Sequence, residues 1–354
     1  MNTKGEEIIK RQILIILGNG FSIDLINCID KKRDVNLINL FANGDKVPWP
    51  ATDEPGFLSC RRCPALWQLG ARPNISDMDA AKIIEDVITC ANVNAFSREN
   101  RVLAEFSNTY LRAYHELVLY LKYLFIYYNQ IIDNNALCLD NIMPWGWGKL
   151  FKLLNENPNI TKVSIVTYNY DIFLERVLNL LGIEYCVLGF DVDRPSTKFK
   201  IIKPHGSISF RSAKEYDKES FSIKYNRDGL GGKLEDLIID EKPDFNTISN
   251  INTMIPPAGE SERYQFVWSN VLKKYALEAA EELKEDDEVI FGGLSYGNVD
   301  RREIDEELIN IDVGTKIKVV NPDTKNTFGA VVSSLFGEYT HYIDSEILGG
   351  IYYG

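Results

Sequence analysis

The sequence predicts an α/β fold: a Rossmann-like, mostly parallel sheet carrying a large helical insertion. Two observations predict it. The continuous apolar run 13–17 reads as a strand buried on both faces, and further strand signals follow at 162–167, 185–188, 201–202, 289–292 and 317–320. Helical patterns at 173–181 and 268–283 fall between them, giving the β-α alternation of a parallel sheet. Right-handed crossovers would then bring the strand ends to one edge, where open α/β folds bind ligands.

Taken in order, the run 13–17 is a strand stopped by Gly18, after which Ser22 and Asp24 open a helix expected to run through Asn27. From Phe41 onward, Pro48, Pro50, Pro55, Pro64 and Pro73 interrupt any long regular element, so this passage reads as loop-rich. Residues 76–133 change character. Ile83, Ile84, Val87 and Ile88 have helical spacing, and 103–132 is a long aromatic-rich helix. Its stripe of Tyr110, Tyr114, Leu117, Leu121, Leu124 and Tyr128 is expected to bury in the core or in a subunit interface, with His115 a packed or solvated helix histidine. Residues 211–262 lack periodicity and read as a small irregular insertion. The acidic stretch 281–288 is a solvated helix end, and 336–354 forms a last strand or an oligomer contact. The expected organisation is therefore a discontinuous core, 1–50 and 156–354, interrupted by a mostly helical insertion, 51–155.

Composition narrows the function. At 354 residues, 45% of them hydrophobic, the chain can bury a large core. A net charge of -12 argues against the basic surface of a nucleic-acid binder. No apolar stretch is long enough for a membrane span and the first residues are polar, so the expected location is the cytoplasm. Six cysteines make no disulfide framework there. Cys60-Arg61-Arg62-Cys63 has the spacing of half a zinc site, but no second pair completes a tetrahedron, so the two read as reduced loop thiols and no metal is expected.

Three strand ends carry the chemistry: Gly18-Asn19-Gly20-Phe21-Ser22, Thr167-Tyr168-Asn169-Tyr170-Asp171 and Lys203-Pro204-His205-Gly206-Ser207. Glycines at a strand-to-helix turn let backbone approach a pyrophosphate, and the helix amino terminus supplies N–H donors, although Ile23 replaces the third glycine of a full fingerprint. Asn169 can orient a water or a ribose hydroxyl, Asp171 can accept from a carboxamide, and either can cap a helix. His205 is one of three histidines, and an unperturbed imidazole has the acidity suited to a general base. Such a set suits cleavage of the nicotinamide-ribose bond of NAD. Nicotinamide leaves neutral, so the task is positioning and electrostatics, with no metal required.

In order and content these motifs resemble the sirtuin family, and more closely its divergent prokaryotic sirtuin-like branch, associated with NAD cleavage in anti-phage defence. The resemblance implies that Gly18, Gly20 and Ser22 form the phosphate and nicotinamide-pocket motif, that Asn169 and Asp171 belong to the T-x-N-x-D element, and that His205 is the catalytic histidine. Looser matches are Ile255-Pro256-Pro257, Trp268, the run Phe291-Gly292-Gly293-Leu294-Ser295-Tyr296, and Val320-Asn321-Pro322. They place Ser295 and Asn321 near the adenosine half of NAD. The resemblance further implies an NAD hydrolase that releases nicotinamide and ADP-ribose in abortive infection. It would act as a homo-oligomer or with a defence partner such as a HerA-type ATPase or an Argonaute-type protein. Missing cysteine pairs after His205 count against the alternative of an NAD-dependent protein deacylase. A module that senses NAD or ADP-ribose without turnover stays open, and a dehydrogenase fits least.

Overall fold

The computed structural model describes residues 10–95, 108–191, 196–214, 216–225, 232–246, 248, 252–256, 266–296, 301–323 and 327–350. The start of the expected helix 103–132, Pro257 and the end of the tail lie outside the described residues. Seven parallel strands form the main sheet: β1 (Arg11–Leu17), β2 (Ile160–Thr167), β3 (Tyr185–Val187), β4 (Phe199–Ile202), β7 (Glu288–Gly292), β8 (Lys316–Val320) and β9 (Tyr339–Tyr342), in spatial order β3-β4-β2-β1-β7-β8-β9. The α/β class is as the sequence predicts.

From β1 the chain moves to β2 and β4 in one direction, then returns to β7 on the other side of β1. That reversal creates a topological switch point between β1 and β7, the crevice where such sheets take ligands. The register sets the site. Leu17 lies beside Thr167 on one side and Gly292 on the other, so Gly18, Tyr168 and Gly293 leave the sheet together.

Side chains alternate across β1: Ile13, Ile15 and Leu17 point into one apolar cluster, Leu14 and Ile16 into another. On the Leu14 face lie α8 (Val267–Glu281) and α9 (Arg301–Asn310), through Ala276, Ala280, Ile304 and Leu308; α10 (Thr327–Leu335) adds Phe328 and Val332. The opposite cluster holds Phe21 of α1 (Asn19–Cys28), Phe151 of α6 (Gly146–Glu156) and Val177 of α7 (Phe173–Leu180).

The helical segment stacks onto that second cluster. It comprises α2 (Pro64–Gln68), α3 (Asp77–Ala95), α4 (Thr109–Ile131) and α5 (Leu139–Ile142). Asn108 caps α4 by accepting from the N–H groups of Tyr110 and Leu111. Tyr114, Leu117, Leu121, Leu124 and Tyr128 are buried in the cluster that also holds the β1 residues, and His115 packs between the Tyr114 and Tyr225 rings. Lys122, wholly buried, donates to Phe210 O and Thr253 Oγ1 at 3.2 Å each, tying α4 to the loops beneath the third motif. Burial pulls its amine down to about 8.

Two local expectations change. Helix α1 starts at Asn19, not Ser22, with extended Gly18 as its N-cap, because the Gly20 N–H bonds to Gly293 O and turns the chain without a side-chain cap. The irregular region contains a small antiparallel pair, β5 (Phe210–Ser212) with β6 (Leu237–Ile239), and the tail supplies the parallel edge strand β9. No helix among the described residues is long and apolar enough to cross a membrane.

Candidate active site at the carboxyl edge of the sheet

The first strand end is a backbone zipper. Gly18 N–H donates to Gly292 O at 3.0 Å, Gly20 N–H to Gly293 O at 2.9 Å, and Gly293 N–H to Val320 O at 3.0 Å, locking the ends of β1, β7 and β8 together. Small residues are required here. A Cβ on Gly20 would lie 2.5 Å from the Gly293 Cα, and Gly293 itself has a φ of +60°.

Beside the zipper, polar side chains form one continuous chain of hydrogen bonds. Asn169 Nδ2 donates to Gly18 O and to Ser22 Oγ, both at 3.0 Å; Ser22 Oγ donates to Asp171 Oδ2 at 2.7 Å; and Asp171 Oδ1 accepts from Phe173 N–H at 3.0 Å. Lys203 Nζ then donates to Asp171 O at 2.6 Å and pairs with Glu175 Oε1 at 2.8 Å. All of these residues are buried. Burial pushes the Asp171 carboxyl above the usual range against the pull of Lys203, Ser22 and the Phe173 amide. Both donors of Asn169 are thus spent on the protein, while its Oδ1 accepts no bond among the described residues.

The third strand end is a proline turn closed by the Gly206 N–H to Lys203 O at 3.0 Å. Gly206 has a φ of +85°, and a Cβ there would meet Thr253 O at 2.0 Å. His205 O accepts from Ile255 N–H at 2.9 Å, and Ser269 Oγ donates to Pro204 O at 2.7 Å. The His205 ring packs 4.8 Å from that of Tyr168, and its Nε2 lies 2.7 Å from Glu303 Oε2. Lys273 holds the other carboxylate oxygen at 2.5 Å. Burial alone would raise the Glu303 carboxyl, but His205 and Lys273 outweigh it and pull the group down to about 2.

A cavity of about 750 Å³ opens at the ends of β1, β7, β8 and β9. Gly20, Ser295 and Asn321 line it, with Ser295 exposed and Asn321 bridging Leu294 O at 2.6 Å and the Asp323 N–H at 3.0 Å. The structure therefore joins Gly18, Ser22, Asn169 and Asp171 directly, and puts Gly20, Ser295 and Asn321 on the cavity wall. His205 sits at the neighbouring strand end, against Tyr168 and α9. Residues 163–312 match the family model described as a SIR2-like domain. The matched span runs from within β2 through α9 and contains Asn169, Asp171, His205, Gly293, Ser295 and Glu303, whereas Gly18, Gly20, Ser22 and Asn321 lie outside it. SIR2-like domains use NAD, and the match ties this chain to NAD-related chemistry in general. No curated protein matches the chain.

Sequence reasoning assigned no role to Lys203, Glu175, Lys273 or Glu303. Signals existed for two of them. Lys203 directly follows a buried strand, and Glu303 and Glu307 share the α9 face that carries Ile304 and Leu308 into the core. Lys273 shows no such signal. Among the described residues no cluster of His, Cys, Asp and Glu could hold a metal ion. Cys60 is exposed, while buried Cys63 donates its thiol to Phe57 O.

Proposed function

We propose that this chain hydrolyses NAD, cleaving the bond between nicotinamide and ribose to give nicotinamide and ADP-ribose. The observation that carries the reading is the Asn169 amide, whose two donors are fixed by Gly18 O and Ser22 Oγ so that Oδ1 is left to accept from a water or ribose hydroxyl. The side-chain-free glycine turn would let the pyrophosphate approach the backbone closely, and the cavity with Ser295 and Asn321 would take the adenosine half. Asp171 would receive the carboxamide of nicotinamide.

In the reaction, the C1′–N bond breaks as nicotinamide departs neutral, and the oxocarbenium-like carbon gains a bond to water oxygen. The proton released from that water goes to His205, acting as general base. Positioning and preorganised dipoles supply the rest. The biological setting we propose is a cytoplasmic defence effector that depletes NAD in abortive infection. A homo-oligomer or a partner such as a HerA-type ATPase would restrain it until triggered.

A second reading, a sensor that binds NAD or ADP-ribose without turnover, is favoured by the sealing of the reactive groups: His205 is 2% and Asn169 8% exposed. Chromatography of NAD incubated with the purified protein, alone and with its genomic neighbour's product, separates the two. Nicotinamide released by the unmutated protein and not by His205→Ala supports hydrolysis. Bound, uncleaved NAD under every condition supports the sensor.

A further inference from the structure

We propose that Glu303, itself held by Lys273, is a positioning residue that keeps the proton of the neutral His205 ring on Nε2 and so makes Nδ1 the ring's proton acceptor. The inference rests on the hydrolase reading for its catalytic meaning, and on geometry for its substance. Glu303 Oε2 is 2.7 Å from His205 Nε2, Lys273 Nζ is 2.5 Å from Glu303 Oε1, and the histidine and glutamate side chains are 3% and 9% exposed.

A carboxylate can only accept, so the hydrogen in the His205–Glu303 contact belongs to the ring nitrogen. The hydrogen bond from the His205 ring and the ammonium of Lys273 keep Glu303 ionised throughout the neutral range. The other groups packed around the ring reinforce its placement: the Tyr168 ring packs against it, tilted by 60° at 4.8 Å, and Tyr168 OH donates to Glu307 Oε1 at 2.9 Å, one turn along α9 from Glu303. Helix α9 thus holds both the histidine and the tyrosine behind it. A base oriented by a buried carboxylate is a recurring catalytic pairing, in which losing the carboxylate frees the wrong tautomer.

The test combines ring spectroscopy with kinetics on the full chain. Long-range ¹⁵N–¹H spectra resolve the tautomers of the three histidines, with His205 assigned by its disappearance in His205→Ala. The expected spectrum shows neutral His205 protonated at Nε2, and Glu303→Gln, nearly isosteric, admits the Nδ1-protonated form. In turnover, Glu303→Gln should lose about 10²-fold in kcat with KM for NAD unchanged, and Lys273→Met should lose less. An Nδ1-protonated ring in the unmutated protein overturns the proposal, as does a Glu303→Gln protein with unaltered ring spectra and kcat. If His205→Ala cleaves NAD normally, the hydrolase reading fails while the spectra still decide what Glu303 does. If no variant turns over, the spectra alone decide it.

Discussion

The two halves of the sheet's carboxyl edge solve different problems. Around β7 and β8 the edge is built from backbone and small residues beside a cavity of about 750 Å³, with Ser295 exposed on its wall. Around β2 and β4 it is built from ionisable and amide side chains, nearly all removed from water and hydrogen-bonded in two groups, one around Asn169 and Asp171 and one around His205 and Glu303. Buried polar groups are costly without partners, which explains why these side chains come in bonded groups. The first half pairs its glycine N–H groups with backbone carbonyls and leaves room beside them. One half thus opens on a cavity, and the other keeps its polar groups out of water.

The largest expected effect separates the halves. His205→Ala and Asn169→Ala should each lower NAD turnover by about 10²–10⁴-fold with cooperative unfolding retained, measured by nicotinamide release and thermal melts. Turnover at the original rate in either variant would remove the network from catalysis. Next comes Gly206→Ala, which forces a side chain into positive φ against Thr253 O. A loss of about 3 kcal/mol in denaturant unfolding is expected, and a neutral result would show that this turn relaxes freely.

Acid titration sharpens the contrast within the buried half. Glu303 has its carboxyl depressed from about 4.5 to about 2, so its stabilisation is complete above about pH 4.5 and disappears as pH falls toward 2. The amount is about 3 kcal/mol. Asp171 has its carboxyl raised, so it costs stability at neutral pH and that cost is relieved on acidification. Unfolding free energies across this range should therefore flatten for Glu303→Gln and steepen for Asp171→Asn; identical slopes in all three proteins would refute both assignments. The smallest effect is expected from Cys60→Ser combined with Cys63→Ser, which should leave turnover unchanged. Lost activity accompanied by zinc release would contradict that.

Much of this was legible in the sequence because it is local. Apolar runs such as 13–17 announce strands, and Gly18 or Pro204 just beyond a strand announces a turn. The register that sets Leu17 between Thr167 and Gly292 then gathers those turns. What stayed hidden is long-range. Glu303 reaches His205 across 98 positions, and no local pattern couples α8 to α9 through a shared carboxylate. The start of α1 was missed for a related reason: its Gly20 N–H is satisfied by Gly293 O, which a search for capping side chains does not see.

The most direct measurement is a paired titration of ADP-ribose binding and NAD turnover in two variants, His205→Ala in the buried half and Ser295→Trp in the open cavity. The account predicts that His205→Ala binds ADP-ribose as the unmutated protein does but releases no nicotinamide, whereas Ser295→Trp loses binding. Loss of ADP-ribose binding in His205→Ala, or unimpaired binding in Ser295→Trp, would contradict the division of the edge into a recognising half and a reacting half.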